Sequence, residues 1–160
     1  MQEIKVGIGD MNIAKSPDKL ITLGLGSCVG IALIDSFNKI AGLSHIMLPD
    51  SKAFSNLNNP MKYADTAIPM LVQKLISSGA SRNNLKAKIA GGASMFSFAD
   101  KSPMMDIGKR NEEAVKSILK ELNIPIISED VGGNKGRTMI VDPGTGSVIL
   151  RITGLGVKEL

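Results

Sequence analysis

The chain of 160 residues carries a formal net charge of +4 at pH 7, and 43% of it is hydrophobic while 3% is aromatic. This length is close to that of one domain and no Pro-, Ser- or Gly-rich linker divides it, so we predict a single domain over 1–160. Scattered lysines and scarce aromatic residues argue against nucleic-acid binding. One cysteine and one histidine cannot form a disulfide or a Cys/His zinc site, and we expect neither a metal nor a cofactor.

The N-terminal segment 1–5 lacks a basic stretch followed by an apolar run. Charges or glycines also interrupt every apolar segment before it reaches membrane-spanning length. We therefore expect no export and no membrane insertion. A cytoplasmic location also suits a protein with one unpaired thiol.

The first third of the chain is predicted to be rich in β-structure, because short runs of apolar and β-branched residues alternate with turn residues. The last two of these runs are joined by a short turn and should form a hairpin. We predict an extended segment over Glu3–Ile13 with a turn at Gly9–Asp10, and strands over Leu20–Leu25, Val29–Asp35 and Lys39–Leu48.

The remaining chain mixes helices and strands. Apolar residues at helical spacing predict a helix over Tyr63–Ser78, either kinked at Pro69 or beginning later. A second helix should open after Asp106, a residue type that caps helices. Further strands are predicted over Leu85–Ala90, Pro125–Val131, Arg137–Asp142 and Ser147–Thr153. This order predicts an α+β fold, a single layered domain of mixed β-sheets with two main helices.

Three glycines surround the only thiol in the segment Gly24–Gly30, where backbone amides can therefore approach a bound group closely. A dinucleotide-binding loop would require a helix to begin at these glycines. Here a predicted strand follows instead, and the glycine spacing also differs. We reject nucleotide binding for this segment.

Cys28 and His45 are the candidate catalytic pair. Either residue alone is usually structural, as a small buried side chain or as a core histidine with a backbone partner. A two-residue turn between the hairpin strands would place them directly opposite each other. A four-residue loop would keep them on one face in diagonal positions, and an odd-length loop would separate them unless a bulge intervened.

Such a pair predicts a cysteine hydrolase. A neighbouring imidazolium lowers the pKa of a thiol and so creates a nucleophile at neutral pH. Attack on an acyl carbon also needs hydrogen-bond donors for the developing oxyanion, and the backbone amides of Gly26, Ser27 and Cys28 are the candidates.

Over nearly its whole length the chain resembles the CheD family of chemoreceptor glutamine deamidases. Several ordered motifs carry the resemblance: Leu23–Val29, Leu43–Pro49, Gly91–Phe96, Ile107–Asn111 and Gly132–Arg137. The resemblance implies a Cys-His-Thr triad at Cys28, His45 and Thr22, and a layered fold similar to cysteine deamidases of the cytotoxic necrotizing factor type. It further implies hydrolysis of glutamines on methyl-accepting chemoreceptors to glutamate, through a thioester, in chemotaxis.

Some features allow a second interpretation. The resemblance also implies binding to the CheC phosphatase, so the chain could serve mainly as a regulatory binding module. Thr22 alone would suit an ordinary strand position. The glycine pairs at 91–92 and 132–133 are typical of tight turns, or they form a rim that faces the substrate. Asn111, on the apolar stripe of the second helix, is predicted to cap the helix or make a buried hydrogen bond.

Overall fold

The computed structural model describes residues 1–53, 59–94 and 106–160. In this part of the chain, ten strands and two α-helices form a mixed α+β fold. The strands are β1 (Glu3–Lys5), β2 (Asp10–Lys15), β3 (Lys19–Leu25), β4 (Val29–Asp35), β5 (Ile40–Ile46), β6 (Lys86–Gly91), β7 (Ile126–Val131), β8 (Arg137–Asp142), β9 (Ser147–Ile152) and β10 (Gly156–Glu159); the helices are α1 (Ala64–Ser77) and α2 (Ile107–Glu121).

The strands form two five-stranded sheets. One sheet has the order β1-β3-β8-β9-β10 and the other has the order β2-β5-β4-β6-β7. Each sheet contains one parallel pair, β1 with β3 and β6 with β7, among antiparallel neighbours. The predicted α+β class with mixed sheets and two main helices is confirmed.

Two hydrophobic cores give the molecule three layers. Both helices pack on one face of the second sheet, and the first sheet covers its other face. Side chains along β4 accordingly alternate between the two cores, with Ile31 and Leu33 under the helices and Ala32 and Ile34 between the sheets. Burial on both faces explains why β4 and β5 are largely apolar and do not alternate with exposed polar residues.

Four residues, 36–39, close the hairpin between β4 and β5, so the two-residue turn is wrong and the four-residue alternative is correct. Asp35 pairs with Ile40 at the end of the ladder. The wider loop is held by the Asp35 carboxylate, which accepts hydrogen bonds from the backbone and side-chain nitrogens of Asn38 at 3.0 and 2.7 Å.

The helices lie close to their predicted positions. α1 begins at Ala64, before Pro69, and so it does not start late. α2 is capped by Asp106, whose carboxylate accepts a hydrogen bond from the Lys109 backbone nitrogen at 3.3 Å. Within the described ranges, neither helix is long and apolar enough to cross a membrane.

Candidate active site

Cys28 lies at the entrance to β4, where the chain passes from one sheet to the other. Its side chain is half-buried and packs against the core between the sheets. A bulge in β3 precedes it, because the pairing with β8 shifts between Thr22 and Leu25. Gly24 takes a φ of 72° within this bulge, a conformation that favours glycine. The extra residue lets Thr22 and Leu25 both face the interior.

His45 lies near the end of β5 and is fully buried, with 0% of its surface exposed. Its partner across the ladder is Gly30, two residues beyond Cys28. Because side chains alternate along a strand, this register puts Cys28 and His45 on the same face in diagonal positions. The face is the one that meets the first sheet.

Thr22 approaches His45 from that first sheet. Its Oγ1 is 2.6 Å from the Nδ1 of His45 and 2.7 Å from the backbone oxygen of Val6. A carbonyl oxygen can only accept, so the single hydroxyl hydrogen is donated to Val6. Nδ1 must therefore be protonated and donate to Thr22, which leaves Nε2 as the unprotonated, basic nitrogen.

The Nε2 atom of His45 is buried and has no hydrogen-bond partner among the described residues. Burial lowers the pKa of the imidazole to about 4. Burial also raises the pKa of the Cys28 thiol, against a smaller opposite effect of its own backbone N–H. Both shifts favour a neutral thiol and a neutral imidazole over an imidazolium beside a thiolate. This state suits a histidine that removes the thiol proton during attack, as a general base.

The backbone near the thiol offers two amides to an oxyanion. The N–H of Gly26 donates to the backbone oxygen of Gly24 at 3.0 Å, so it is not available. Among the residues described, the amides of Ser27 and Cys28 have no backbone or side-chain oxygen as acceptor. The N–H of Cys28 is close enough to its own sulfur to influence the thiol.

The glycines at 91–92 hold the segment that carries Cys28. The backbone nitrogen of Gly92 donates to the oxygen of Cys28 at 2.9 Å, and that of Ala93 donates to the oxygen of Gly26 at 2.8 Å. A side chain at Gly91 would place its Cβ 2.2 Å from the Cys28 oxygen. We call Gly91–Ala93 the clamp, because its backbone holds the segment that carries Cys28 at close range. The last two positions of the motif, 95 and 96, lie outside the described residues.

The second glycine motif supports the first. The backbone nitrogen of Gly132 donates to the oxygen of Gly91 at 3.0 Å. Arg137, almost completely buried, binds the oxygens of Gly91 and Gly132 at 3.3 and 2.8 Å and the Asp130 carboxylate at 2.8 Å. Its guanidinium thereby ties the first sheet to the end of β6 beside the candidate site.

A half-buried cysteine lies on the same face of the sheet as a buried histidine whose ring is held by a threonine, although Nε2 makes no hydrogen bond with the sulfur. These residue types are those that cysteine hydrolases use. In the described ranges no cluster of three or more His, Cys, Asp or Glu residues could hold a metal ion. The sequence model of the CheD family, described as CheD chemotactic sensory transduction, matches residues 47–152. The chain belongs to the CheD family.

Two full-length relatives support this membership. A protein of Clostridium botulinum named "Probable chemoreceptor glutamine deamidase CheD" is 64% identical over 160 residues, which cover 100% of this chain and 99% of the relative. A protein of Clostridium kluyveri with the same name is 62% identical with the same coverage. The family-model match begins after Thr22, Cys28 and His45, whereas the full-length relatives extend over these positions.

The fold also occurs in a solved structure. The crystal structure of the Bacillus licheniformis hypothetical protein YfiH matches 78% of this chain with a TM-score of 0.51 and 15% sequence identity. The matched region is 51% of that protein, so this chain spans about half of its length. At this identity the similarity concerns the fold alone.

Proposed function

We propose that the protein is a glutamine deamidase that converts glutamine side chains of chemoreceptors to glutamate, with Cys28 as nucleophile. Membership of the CheD family and the names of the full-length relatives support the reaction. The observation that carries the mechanism is the hydrogen bond between Thr22 and His45, because it leaves Nε2 free to accept a proton on the face shared with Cys28.

The first half of the reaction forms a thioester. Nε2 of His45 accepts the thiol proton as the sulfur of Cys28 attacks the carboxamide carbon. The oxygen of the tetrahedral intermediate is stabilised by the N–H groups of Ser27 and Cys28. The imidazolium then donates its proton to the amide nitrogen, the carbon–nitrogen bond breaks, and ammonia leaves.

The second half hydrolyses the thioester. His45 accepts a proton from water while the water oxygen attacks the thioester carbon. The carbon–sulfur bond breaks, the sulfur regains its proton from His45, and glutamate is released. Throughout both steps Thr22 accepts a hydrogen bond from Nδ1, which keeps the ring orientation constant.

The proposed setting follows from the same relatives. Substrates would be glutamines in the cytoplasmic part of methyl-accepting chemoreceptors, and the enzyme would act in the cytoplasm. Binding to the CheC phosphatase is the second proposal, and it requires no thiol. A Cys28→Ala protein that still captures purified CheC would support that partner, whereas a wild-type protein that fails to capture it would exclude it.

Incubation with a receptor cytoplasmic fragment tests the enzyme proposal directly. The wild-type protein should release ammonia and convert particular glutamines to glutamate, as measured by peptide mass spectrometry. Cys28→Ala should abolish the reaction because it removes the nucleophile. Phe37→Ala is the control, since Phe37 is 85% exposed at the opposite end of the β4–β5 hairpin, and it should retain wild-type activity. Deamidation by Cys28→Ala at the wild-type rate would contradict the proposal.

A further inference from the structure

Asn111 joins the two backbone segments that carry the candidate pair. It lies on α2, is fully buried, and its Nδ2 donates hydrogen bonds of 2.9 Å to the backbone oxygens of both Ser27 and Met47. Ser27 directly precedes the nucleophile, and Met47 follows His45 by two residues. The predicted buried hydrogen-bond role is confirmed, and its two acceptors place the residue at the site.

The two hydrogen bonds of Asn111, here called the bridge, lie where the pairing between β4 and β5 ends. The last residue pair between β4 and β5 is Val29 with Ile46. The residues beyond it, 27–28 and 47–48, are not paired with one another. Strand hydrogen bonds therefore do not fix the separation of the two backbones where Cys28 enters β4. The amide group of Asn111 connects the two backbones here, where strand pairing does not.

The two acceptors at this position suit the amide group of Asn111. Both acceptors are carbonyl oxygens, so the side chain must present two N–H donors from one atom. The Oδ1 atom of Asn111 is then left buried without a partner among the described residues. An unsatisfied buried acceptor costs on the order of 1–3 kcal/mol. Retaining a polar side chain at that cost indicates that its donors have a role beyond packing.

The bridge also sets the orientation of one peptide group. A trans peptide is planar, with its C=O and N–H pointing in opposite directions. Because Asn111 holds the carbonyl of Ser27 toward α2, the N–H of Cys28 points away from the helix. That N–H is one of the two proposed oxyanion donors.

The helix that carries Asn111 is itself fixed against the site. A Cβ at Gly108 would lie 2.2 Å from the backbone oxygen of Ala93, so α2 touches the glycine segment there without an intervening side chain. The amide of Ala93 in turn binds the Gly26 oxygen. Asn111 therefore belongs to a helix that is already connected, through Ala93, to the segment that carries Cys28.

We propose that Asn111 is a positioning residue that holds Cys28 in register with His45 and directs the Cys28 amide toward the oxyanion. It acts through the two carbonyls and does not contact the substrate. The inference rests on the proposed function, because it assumes that His45 accepts the proton of the Cys28 thiol.

Asn111→Ala removes both donors and should lower kcat for deamidation by between about 10- and 100-fold with little change in KM, because misplacing reacting groups by about 1 Å costs rate more than binding. Val115→Ala is the matched control, because Val115 lies one turn further along α2 and is fully buried in the core between the helices and the second sheet. It should lower the melting temperature and leave kcat within about 2-fold of wild type, since single cavities mainly reduce stability. Equal kcat for the two variants would overturn the inference.

Alkylation by iodoacetamide reports on Cys28 alone, because it is the only thiol, and the dependence of the labelling rate on His45 separates lost positioning from general loosening. His45→Ala should slow labelling in the wild-type background, because Nε2 can no longer accept the thiol proton as the sulfur attacks. It should change labelling by less than about 2-fold in the Asn111→Ala background. If Asn111→Ala does not fold, Asn111→Ser takes its place, since serine retains one donor. The effect of His45→Ala on labelling should then be reduced, but less than in Asn111→Ala.

The outcomes of this cycle separate the two proposals. Equal slowing by His45→Ala in both backgrounds would overturn the positioning role and leave the Cys28–His45 pair intact. If His45→Ala had no effect even in the wild-type background, the pair itself would be wrong, and the positioning role would fall with it.

Discussion

Thr22 interacts with its neighbours through a single hydroxyl group that accepts from His45 and donates to Val6. Thr22→Val keeps the shape and removes this group, so Nδ1–H would lie buried without an acceptor and the ring could change tautomer. We expect kcat for deamidation to fall by about 10- to 100-fold, less than for Cys28→Ala. Thr22→Ser should restore most of the rate. Wild-type activity in Thr22→Val would show that the hydroxyl does not orient the ring.

For this group the sequence predicted the placement on strands better than the hydrogen bonding and the pKa values. Cys28 and His45 could be placed on one face from strand register, since even-length loops preserve the face. The tautomer of His45 could not be predicted, because it depends on the carbonyl of Val6, which directly follows β1 in the chain. The lowered pKa of His45 could not be predicted either, since it follows from the complete burial of the ring.

At the scale of elements, the contact between β6 and the nucleophile segment depends on Gly91. Gly91→Ala would bring a Cβ to 2.2 Å from the Cys28 oxygen and would also strain a φ of 115°. Gly154→Ala is a matched control, because Gly154 has a φ of 78° but nothing within 4 Å of the added Cβ. Backbone strain should cost each variant about 1 kcal/mol of unfolding free energy, and the overlap with backbone should add to the loss in Gly91→Ala. Only Gly91→Ala should also lose deamidase activity.

Thermal or urea unfolding and the deamidation rate, measured on both glycine variants, check this prediction. Equal activity of Gly91→Ala and Gly154→Ala would mean that the clamp on Cys28 tolerates displacement. A larger stability loss in Gly91→Ala is consistent with the added overlap with backbone, which cannot move aside as a flexible side chain can.

Most elements were predictable, and the exceptions have physical reasons. The strand Val29–Asp35 and the strand Arg137–Asp142 match the predicted bounds because turn residues delimit them. β10 was missed, since its four residues are all exposed and show no apolar alternation. Backbone hydrogen bonds with β9 form this strand, and a pattern of side chains does not reveal such bonds. The four-residue hairpin loop depends on Asp35–Asn38 hydrogen bonds that sequence alone left open.

For the whole molecule, the buried imidazole couples folding to pH. The pKa of His45 is about 4 in the folded protein because of burial, against 6.5 in an exposed histidine. Well above pH 6.5 the imidazole is neutral in both states and has no effect on stability. As the pH falls from 6.5 to about 4, the unfolded chain takes up a proton that the folded protein excludes, so stability decreases by roughly 3 kcal/mol.

Urea unfolding of wild type and His45→Gln at pH 7, 5.5 and 4.5 measures this coupling. The wild-type free energy of unfolding should decline more steeply than that of the variant across this range. Asp35 contributes in a different window, because hydrogen bonds from Ser81 and Asn38 outweigh its burial and lower its pKa, so its contribution is lost only as the pH falls further. Parallel curves for the two proteins would show that His45 is not kept neutral by the fold.

The candidate site takes its parts from distant stretches of the chain, with Thr22, Cys28 and His45 early and Gly91 and Asn111 much later. During synthesis the nascent chain therefore exposes its thiol and its imidazole well before the clamp and the bridge have left the ribosome. On the proposed mechanism, the incomplete polypeptide carries an ordinary cysteine. On the same mechanism, deamidase activity begins only when the segments that contain Gly91 and Asn111 have packed against the N-terminal strands. Cys28 is therefore inactive until the rest of its own chain has been made.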